Sequence, residues 1–348
     1  MQTMWMLLLI SVPAAAVWRF LELSEIVLFF LAAFAILPLA KYIGEATEEL
    51  AAHTGTAMGA LLNATFGNAT EFIISIFALR AGLVEVVKAS ITGSIIGNLL
   101  LILGMAMLAG GWRNKKQQFN STVARAGSST LLLAVIALVM PAIFMNTASV
   151  PPRTMEHLSI FVAVLMLIVY AAGLWFLLVT HKHLYKEEIG KIAHAGWSKK
   201  KSMGVLCAST LAVSWMSEIL VGSIEPVVAR FGWTELFIGV IFIAIVGNAA
   251  EHASAIVIAA KNRMDLALQI ATGSATQIAM FVAPALVLIS LFFPVHMSLV
   301  FGTFELVAII SSVLIANVII NDGESNWLEG FQLLIAYAIL AIAFFFHP

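Results

Sequence analysis

The chain has 348 residues, of which 61% are hydrophobic and 11% are charged, and its formal net charge is −1. Soluble domains carry about 25% charged residues, so this composition excludes an ordinary soluble domain and predicts an integral membrane protein. The single cysteine, Cys207, excludes an internal disulfide and any cysteine-based metal site.

Apolar runs long enough to cross about 30 Å of hydrocarbon fill most of the chain. Because no Lys or Arg precedes Arg19, we expect the first run to be a retained transmembrane helix and not a secretory signal. The polar connector 181–202 is too short for a soluble domain, so 1–348 is predicted to be one transmembrane domain. The fold class is an all-α membrane protein with about 11 transmembrane helices, at 4–20, 25–44, 54–80, 84–109, 125–145, 155–180, 203–222, 234–260, 264–291, 296–317 and 327–346.

Basic residues are divided unequally between the two sides of the predicted bundle. When the connections are numbered alternately, five of the 18 Lys and Arg residues fall on one side and the other 13 on the opposite side. The positive-inside rule places the richer side, which includes the connector 181–202, in the cytoplasm. We therefore expect a multi-pass protein of the plasma membrane with its N-terminus inside and its C-terminus outside.

The chain contains an internal repeat with an offset of 180 positions. Gly67-Asn68-Ala69-Thr70-Glu71 matches Gly247-Asn248-Ala249-Ala250-Glu251, and Thr92-Gly93-Ser94 matches Thr272-Gly273-Ser274. The identities are concentrated in these two patches, which is the pattern expected when two diverged repeats share one site.

The repeat predicts the architecture. Helices two to six form a first repeat at 25–180 and helices seven to eleven a second at 203–348, so that 1–24 is an extra N-terminal helix. Because five is an odd number, the second repeat enters the membrane from the opposite side. Two inverted repeats have two mirror-related packings, and exchange between them opens a central site to each side in turn. This arrangement is typical of a transporter.

A glutamate in the middle of an apolar helix is the main candidate in each repeat. Such a carboxylate costs about 2.5 kcal/mol or more at the centre of a membrane, so it is rarely incidental. Gly67 and Asn68 interrupt the first of these helices and free backbone carbonyls, which are tolerated where they line a cavity. Asn68 and Glu71 add hard oxygen ligands, which Ca²⁺ and similar cations take. Asn248 and Glu251 supply the same groups in the second copy.

Two opposed carboxylates can neutralise one divalent cation. When the cation leaves, two buried like charges remain close together, and protons are the natural replacement. This competition is the physical basis of cation/proton exchange. The chain has no Walker A pattern, which argues against an ATP-driven pump. The predicted cation/proton site, and metal site, is therefore Glu71 and Glu251, with Asn68 and Asn248 as further ligands.

Several polar and small residues near these glutamates are predicted to support the site, although plain helix packing explains each hydroxyl equally well. His252 follows Glu251 directly and is either a proton shuttle or a hydrogen-bonded packing residue. Glu45 and Glu225 match each other near helix ends and are either an acidic entrance or solvated surface. The supporting set is Gly67, Gly247, Thr92, Ser94, Asn98, His252, Thr272, Ser274 and Gln277.

The two signature segments, Gly67 to Phe72 and Gly247 to His252, closely resemble those of the calcium/proton exchanger (CAX) branch of the cation/calcium antiporter superfamily. With the Gly-Ser patches and the helix count, the resemblance covers nearly the whole chain and is greatest to a compact prokaryotic member. It implies Ca²⁺ export or sequestration driven by a proton gradient, with Glu71 and Glu251 as the central carboxylates. The connector 181–202 departs from the acidic central helix of larger eukaryotic members.

Three other functions fit the sequence less well than cation/proton exchange. Sodium/calcium exchangers of the same superfamily typically read Gly-Thr-Ser before the first Glu, whereas both copies here read Gly-Asn-Ala. A passive divalent-cation channel usually assembles a ring of subunits around its filter. An intramembrane protease would need a paired aspartate, Ser-His or metal arrangement, and the only aspartates, Asp265 and Asp322, lie near predicted helix ends.

We expect no enzymatic activity and no cofactor, because Ca²⁺ and H⁺ are the transported ions. Membrane lipid is the expected surrounding and no nucleic-acid partner is predicted. Selectivity among divalent cations, proton stoichiometry and assembly into a homo-oligomer are left open by the sequence.

Overall fold

A computed structural model of the protein describes residues 2–54, 56–112, 114–147, 151–180 and 196–347. These residues are almost entirely helical, as the composition predicts. Most of the predicted connector, 181–195, lies outside the described residues.

Helices follow one another with short breaks along the first half of the chain. They are α1 (Gln2–Leu8), α2 (Ser11–Phe20), α3 (Glu25–Thr54), α4 (Thr56–Phe66), α5 (Ala69–Arg80), α6 (Val84–Ile96), α7 (Leu103–Gly111), α8 (Ser121–Thr147) and α9 (Pro152–Trp175). Two π-helical stretches extend this set, since Gly97–Ile102 joins α6 to α7 and Phe176–Thr180 follows α9.

The second half is built in the same way. Its helices are α10 (Lys199–Gly222), α11 (Ile224–Phe231), α12 (Glu235–Phe237), α13 (Ala244–Gly247), α14 (Ala249–Ala260), α15 (Met264–Gln277), α16 (Ala283–Ser290), α17 (Thr303–Ile320) and α18 (Trp327–Phe346). A π-helical stretch, Ile238–Ile243, joins α12 to α13, and another, Ile278–Val282, joins α15 to α16.

Eight helices of the described chain are long and apolar enough to cross a membrane, or nine if the bent pair Glu235–Gly247 and Ala249–Ala260 is one span. The sequence predicts eleven. The first predicted run is divided into α1 and α2, and the third into α4 and α5. The number eleven and the division into two five-helix repeats therefore stay predictions.

The span that carries the first Thr-Gly-Ser triplet is the most buried of the described spans. In the span Val84–Gly111 the most apolar window is 83% buried, whereas in the span Arg153–Thr180 it is only 11% buried. The span Trp327–Phe346 is likewise only 22% buried. These two spans therefore present apolar side chains on the outside of the bundle, where a membrane protein meets lipid.

Some helix bounds differ from the predicted runs. Helix α3 continues to Thr54, ten residues beyond the predicted end at 44. The prediction stopped early because the last three turns carry polar side chains, which hydropathy does not assign to a membrane helix. Helix α17 begins only at Thr303, where Glu305 accepts a hydrogen bond from the backbone N–H of Gly302 at 2.8 Å. This hydrogen bond from the backbone of Gly302 to the side chain of Glu305 caps the start of the helix.

A small antiparallel ladder was not predicted from the sequence. Strand β1 (Gln117–Gln118) pairs with β2 (Glu324–Ser325), so that the connection after α7 is joined to the connection before α18. Lys116 and Glu324 form an ion pair beside it. Two-residue strands give no alternating pattern, which explains why they are invisible in the sequence.

Helices α7 and α18 approach each other closely enough for their backbones to touch. A Cβ added to Gly330 would lie 2.6 Å from the backbone nitrogen of Leu108 and 2.7 Å from the carbonyl oxygen of Gly104. Small residues permit this approach, which is a common way to pack helices within a membrane.

We predict that Gly330→Leu lowers the melting temperature of the purified protein in detergent, because the added side chain would collide with backbone that cannot move aside. Overpacking of this kind costs about 1–3 kcal/mol. Gly173→Leu is the control, since nothing lies within 4 Å of a Cβ added to Gly173. Equal melting temperatures for the two variants would contradict the contact.

Candidate functional site

The asparagine of each repeated segment interrupts its helix. Asn68, between α4 and α5, has φ −104° and ψ 27°, and Asn248, between α13 and α14, has φ −90° and ψ 12°. The second helix pair bends by 60° at this point. The predicted interruption by Gly and Asn is therefore confirmed in both copies, and the two asparagines leave the helix in nearly the same conformation.

The two glutamates lie in the first turns of the helices that follow these breaks. Glu71 is in the first turn of α5 and Glu251 in the first turn of α14. The N-terminus of a helix carries a partial positive charge, which favours a carboxylate there. Both residues therefore occupy equivalent positions of the two copies.

Neither glutamate is part of an ion pair among the described residues. Both carboxylate oxygens of Glu71, and Oε2 of Glu251, are buried without a hydrogen-bond partner in that part of the chain. Gly247, four residues before Glu251, lies directly against the side chain of Glu71, so both glutamates are held in the same part of the bundle. A buried pair of this kind has its charge unmatched by the protein, which is costly unless an ion or a proton compensates it.

Amides and hydroxyls from both repeats form a hydrogen-bonded network that includes the asparagines three residues before each glutamate. The hydroxyl of Ser274 donates to Oδ1 of Asn68 at 2.9 Å, and the amide of Asn248 donates to Oγ of Ser94 at 2.9 Å. Each of these bonds joins an asparagine of one repeat to a serine of the other, at equivalent positions. The serines of the Thr-Gly-Ser triplets thus contact the asparagines of the acidic segments across the two repeats.

Asn98 connects the two halves of this network. Its amide donates to the carbonyl of Ser94 at 2.9 Å, to Oδ1 of Asn248 at 2.9 Å and to Oγ of Ser274 at 3.0 Å. Its own Oδ1 is buried without a partner among the described residues. Asn98 lies in the π-helical stretch Gly97–Ile102, and such stretches are frequent at functional sites.

Gln277 breaks the symmetry of the network. Asn68 donates to its Oε1 at 2.6 Å, and Gly97 stands at the corresponding position of the first repeat. His252 is buried beside Glu251, and its Nε2 has no hydrogen-bond partner in the described chain. The site is therefore only pseudo-symmetric, as the sequence predicts.

Each of the two motif glycines has a neighbouring atom that an added Cβ would collide with. A Cβ on Gly247 would lie 2.6 Å from Cγ of Glu71, and a Cβ on Gly67 would lie 2.7 Å from the carbonyl oxygen of Asn63. Gly247 thus leaves room for the glutamate of the opposite repeat. A glycine at position 247 is therefore explained by the side chain of Glu71 beside it, and not only by its low helix propensity.

Other predicted residues are not brought to the glutamates. Thr92 donates to Oε1 of Glu305 on α17 at 3.0 Å, and Thr272 donates to the carbonyl of Leu268 within its own helix. Glu45 forms an ion pair with Lys41 at 2.7 Å, and Glu225 is exposed at the start of α11. The sequence reasoning missed the bond between Thr92 and Glu305, which has no local signal because 213 positions separate its partners.

The donor set is suited to a hard cation. Carboxylate, amide and hydroxyl oxygens are the ligands of Ca²⁺ and related ions in proteins. Among the described residues no group of three or more His, Cys, Asp or Glu side chains could hold a metal ion. The available donors are therefore two carboxylates and the neutral amide and hydroxyl oxygens of the adjoining network.

The sequence was compared with known proteins. A family model described as sodium/calcium exchanger protein matches residues 24–179 and 201–346. The chain belongs to this family. The two matched regions follow one another along the chain and lie on either side of the segment 180–200, which is close to the division expected from the repeat.

Individual relatives match over nearly their whole length. A Ca²⁺/H⁺ antiporter named ChaA, from Bacillus subtilis, is 48% identical over 340 residues, which are 96% of this chain and 96% of that protein. A Ca²⁺/H⁺ antiporter of Aphanothece halophytica is 46% identical over 98% of this chain and 96% of its own. A crystal structure of the selenium-substituted Ca²⁺/H⁺ antiporter YfkE is 44% identical, with a TM-score of 0.87 over all of both chains. The chain is therefore an integral, multi-pass membrane protein with the fold of this family.

We predict that Gly247→Ala weakens the binding of a divalent cation by about tenfold or more, because the added Cβ would displace the side chain of Glu71. Isothermal titration of the purified protein with Ca²⁺ measures this affinity, and the melting temperature reports whether the fold is kept. Gly222→Ala on α10, where an added Cβ meets nothing within 4 Å, is the matched control. Unchanged affinity in Gly247→Ala would show that Glu71 is not a ligand in this position.

Proposed function

We propose that the protein is a secondary antiporter that exchanges Ca²⁺ for H⁺ across the membrane. One observation carries the proposal: two glutamates at equivalent positions of the repeat lie in the same part of the bundle, with three of their four carboxylate oxygens buried and unpaired and with no basic partner among the described residues. The names of the relatives, which are Ca²⁺/H⁺ antiporters at 45–48% identity, support the choice of ions.

The proposed cation/proton site consists of Glu71 and Glu251, with Asn68 and Asn248 as neutral ligands. A divalent cation matches the charge of the two carboxylates, and two protons remove it. Both loaded forms are electrically satisfied, whereas the form with two bare carboxylates is strongly disfavoured in a medium of low dielectric constant. A cycle that avoids the bare form couples the release of the cation to the uptake of protons.

Serine and asparagine side chains have a positioning role in this proposal. Ser94, Ser274 and Asn98 hold the two asparagines in one network, so that both halves of the site keep a fixed distance. Gly67 and Gly247 provide the close approaches that the network needs, and Gln277 and His252 make the two glutamates chemically unequal. Thr92 and Thr272 have no part in the cation site in this proposal, and they contribute to the packing of the helices that carry the serines.

We further propose that the two repeats, 25–180 and 203–348, are inverted copies that give alternating access to this site. The equal offset of the motif helices supports this, since α5 and α14 run from Ala69 to Arg80 and from Ala249 to Ala260. The distribution of Lys and Arg supports an N-terminus in the cytoplasm and a C-terminus outside. Glu45 and Glu225 occupy matching positions of the two repeats, so in inverted copies they mark one acidic entrance on each side.

We predict that Glu71→Gln and Glu251→Gln each abolish uptake of Ca²⁺ into proteoliposomes driven by an imposed proton gradient. The amide keeps the size of the side chain but can neither bind a proton nor neutralise the cation, so both loaded forms are lost. The measurement is the initial rate of ⁴⁵Ca²⁺ uptake, with a melting curve for each variant.

Glu156→Gln is the matched control, because Glu156 is a half-exposed glutamate that pairs with His296 far along the chain from both motifs. We expect it to transport at the rate of the unmodified protein. Full exchange activity in either Glu71→Gln or Glu251→Gln would eliminate the proposed central site.

A sodium/calcium exchanger is the second candidate, since the family model carries that description. We predict that replacing Na⁺ by K⁺ or choline on both sides of the membrane leaves Ca²⁺ uptake unchanged while the proton gradient is held constant. An ionophore that collapses the proton gradient should stop uptake. Uptake that requires a Na⁺ gradient and survives the ionophore would move the protein to the sodium-coupled branch.

A further inference from the structure

The two repeats pack differently at one equivalent crossing. This is the crossing between the helix that carries the Thr-Gly-Ser triplet, α6 or α15, and the segment that precedes the asparagine break of the other repeat, Ile238–Ile243 or α4. In one half, α6 packs along Ile238–Ile243 and the helices on either side of it. A Cβ on Gly93 would lie 2.0 Å from the carbonyl oxygen of Val240, and one on Gly239 would lie 2.4 Å from Cβ of Ala89. The backbones are therefore in direct contact, and both glycines are required for it.

The sequence carries the same two glycines in the other half. Gly273 stands 180 positions after Gly93, and Gly59 stands 180 positions before Gly239. Nothing lies within 4 Å of a Cβ built on Gly273, and the nearest neighbour of one built on Gly59 is Ala51 of α3. In the described chain α4 packs mainly on α3, and it has no extended packing against α15. The pair of glycines is present, but the contact is not made.

Burial along the two faces follows the same division. On α6 the residues of the contact face, Val86, Ala89 and Ser90, are all buried. Their counterparts on α15 are half-buried, including Leu266 and Ile270.

The difference in burial is larger on the segments that precede the two asparagine breaks. Ile243 is 2% exposed, whereas its counterpart Asn63 on α4 is exposed. Glu251 is more exposed than Glu71. The surfaces that face each other in one half are thus separated in the other half, and the site is more open on the side where α4 begins.

We propose that Gly59 and Gly273 form the backbone contact between α4 and α15 that closes this side in the opposite-facing state. In that state Gly273 packs against the backbone of residue 60, as Gly93 packs against Val240 in the present one, and the Gly93 contact opens. This inference rests on the proposed alternating access and adds the residues that form the second closed state. A glycine in a membrane helix costs stability relative to alanine, so its presence at an open position is explained by a contact made elsewhere in the cycle.

The first test is Gly273→Ala. The present packing accommodates the added methyl group, so we expect the variant to fold and to bind Ca²⁺ like the unmodified protein. Closure would bring that methyl group into the backbone of α4, so we expect Ca²⁺/H⁺ exchange to fall by about tenfold or more. Gly204→Ala on α10, also with nothing within 4 Å, is the matched control and should transport normally. Exchange at the normal rate in Gly273→Ala would overturn the inference.

The second test reports the state without transport. In a Cys207→Ser background, an Asn63→Cys reporter on α4 should react quickly with a membrane-impermeant maleimide, because Asn63 is exposed and polar residues of membrane segments face water-filled cavities and not lipid. Adding Gly93→Ala breaks the present contact and should slow labelling by about tenfold as α4 closes. Adding Gly273→Ala to that variant should restore fast labelling, because the alternative contact is then blocked too.

The two experiments separate this inference from the proposed function. If the unmodified protein carries out no Ca²⁺/H⁺ exchange, the proposed function fails, while labelling still decides whether α4 closes onto α15. Slow labelling that persists after Gly273→Ala is added to Gly93→Ala would overturn the glycine contact even in a protein that transports. Restored labelling supports it.

Discussion

The structure depends on one electrostatic constraint: two carboxylates are held in the same part of an apolar bundle without a positive side chain of the described chain to match them. Leaving a buried charge unmatched is among the most costly features a protein can have. The surrounding structure reduces this cost only in part. It places Glu71 and Glu251 in the first turns of two helices, next to a network of neutral amides and hydroxyls. In the proposed function a bound cation or protons supply the remainder, which suits such a site to exchange and not to permanent binding.

The helix breaks at Asn68 and Asn248 follow from the same constraint. A continuous helix would hide its backbone groups and could not place a helix N-terminus at the centre of the membrane. Ending one helix at the asparagine and starting the next at Ala69 or Ala249 creates that N-terminus where the charge lies. The side chains of the two asparagines at the breaks are hydrogen-bonded to serines of the opposite repeat, so the helix breaks and the contact between repeats belong to one network.

The sequence predicts the parts of this arrangement that are encoded locally or repeated. Hydropathy identifies the membrane helices, and the offset of 180 positions identifies the two glutamates, the asparagines and the serines as one group. It does not predict what non-local packing decides. Thr92 belongs to the same repeated triplet as Ser94, yet neighbouring positions on a helix face different directions, and its partner is Glu305. The crossing of α7 and α18 at Gly104 and Gly330 has no local pattern either.

The remaining asymmetry between the repeats has a physical interpretation in the proposed cycle. Near-identical local sequences, Thr-Gly-Ser after a glutamate helix, are in backbone contact in one half and separated in the other. Local preference cannot decide which half closes, because both halves have nearly the same preference. Two packings of similar free energy are then available, and the ion in the site can bias their exchange with a modest difference in binding energy. A sequence built from two unlike halves would favour one packing strongly, and exchange between the two sides would be slow.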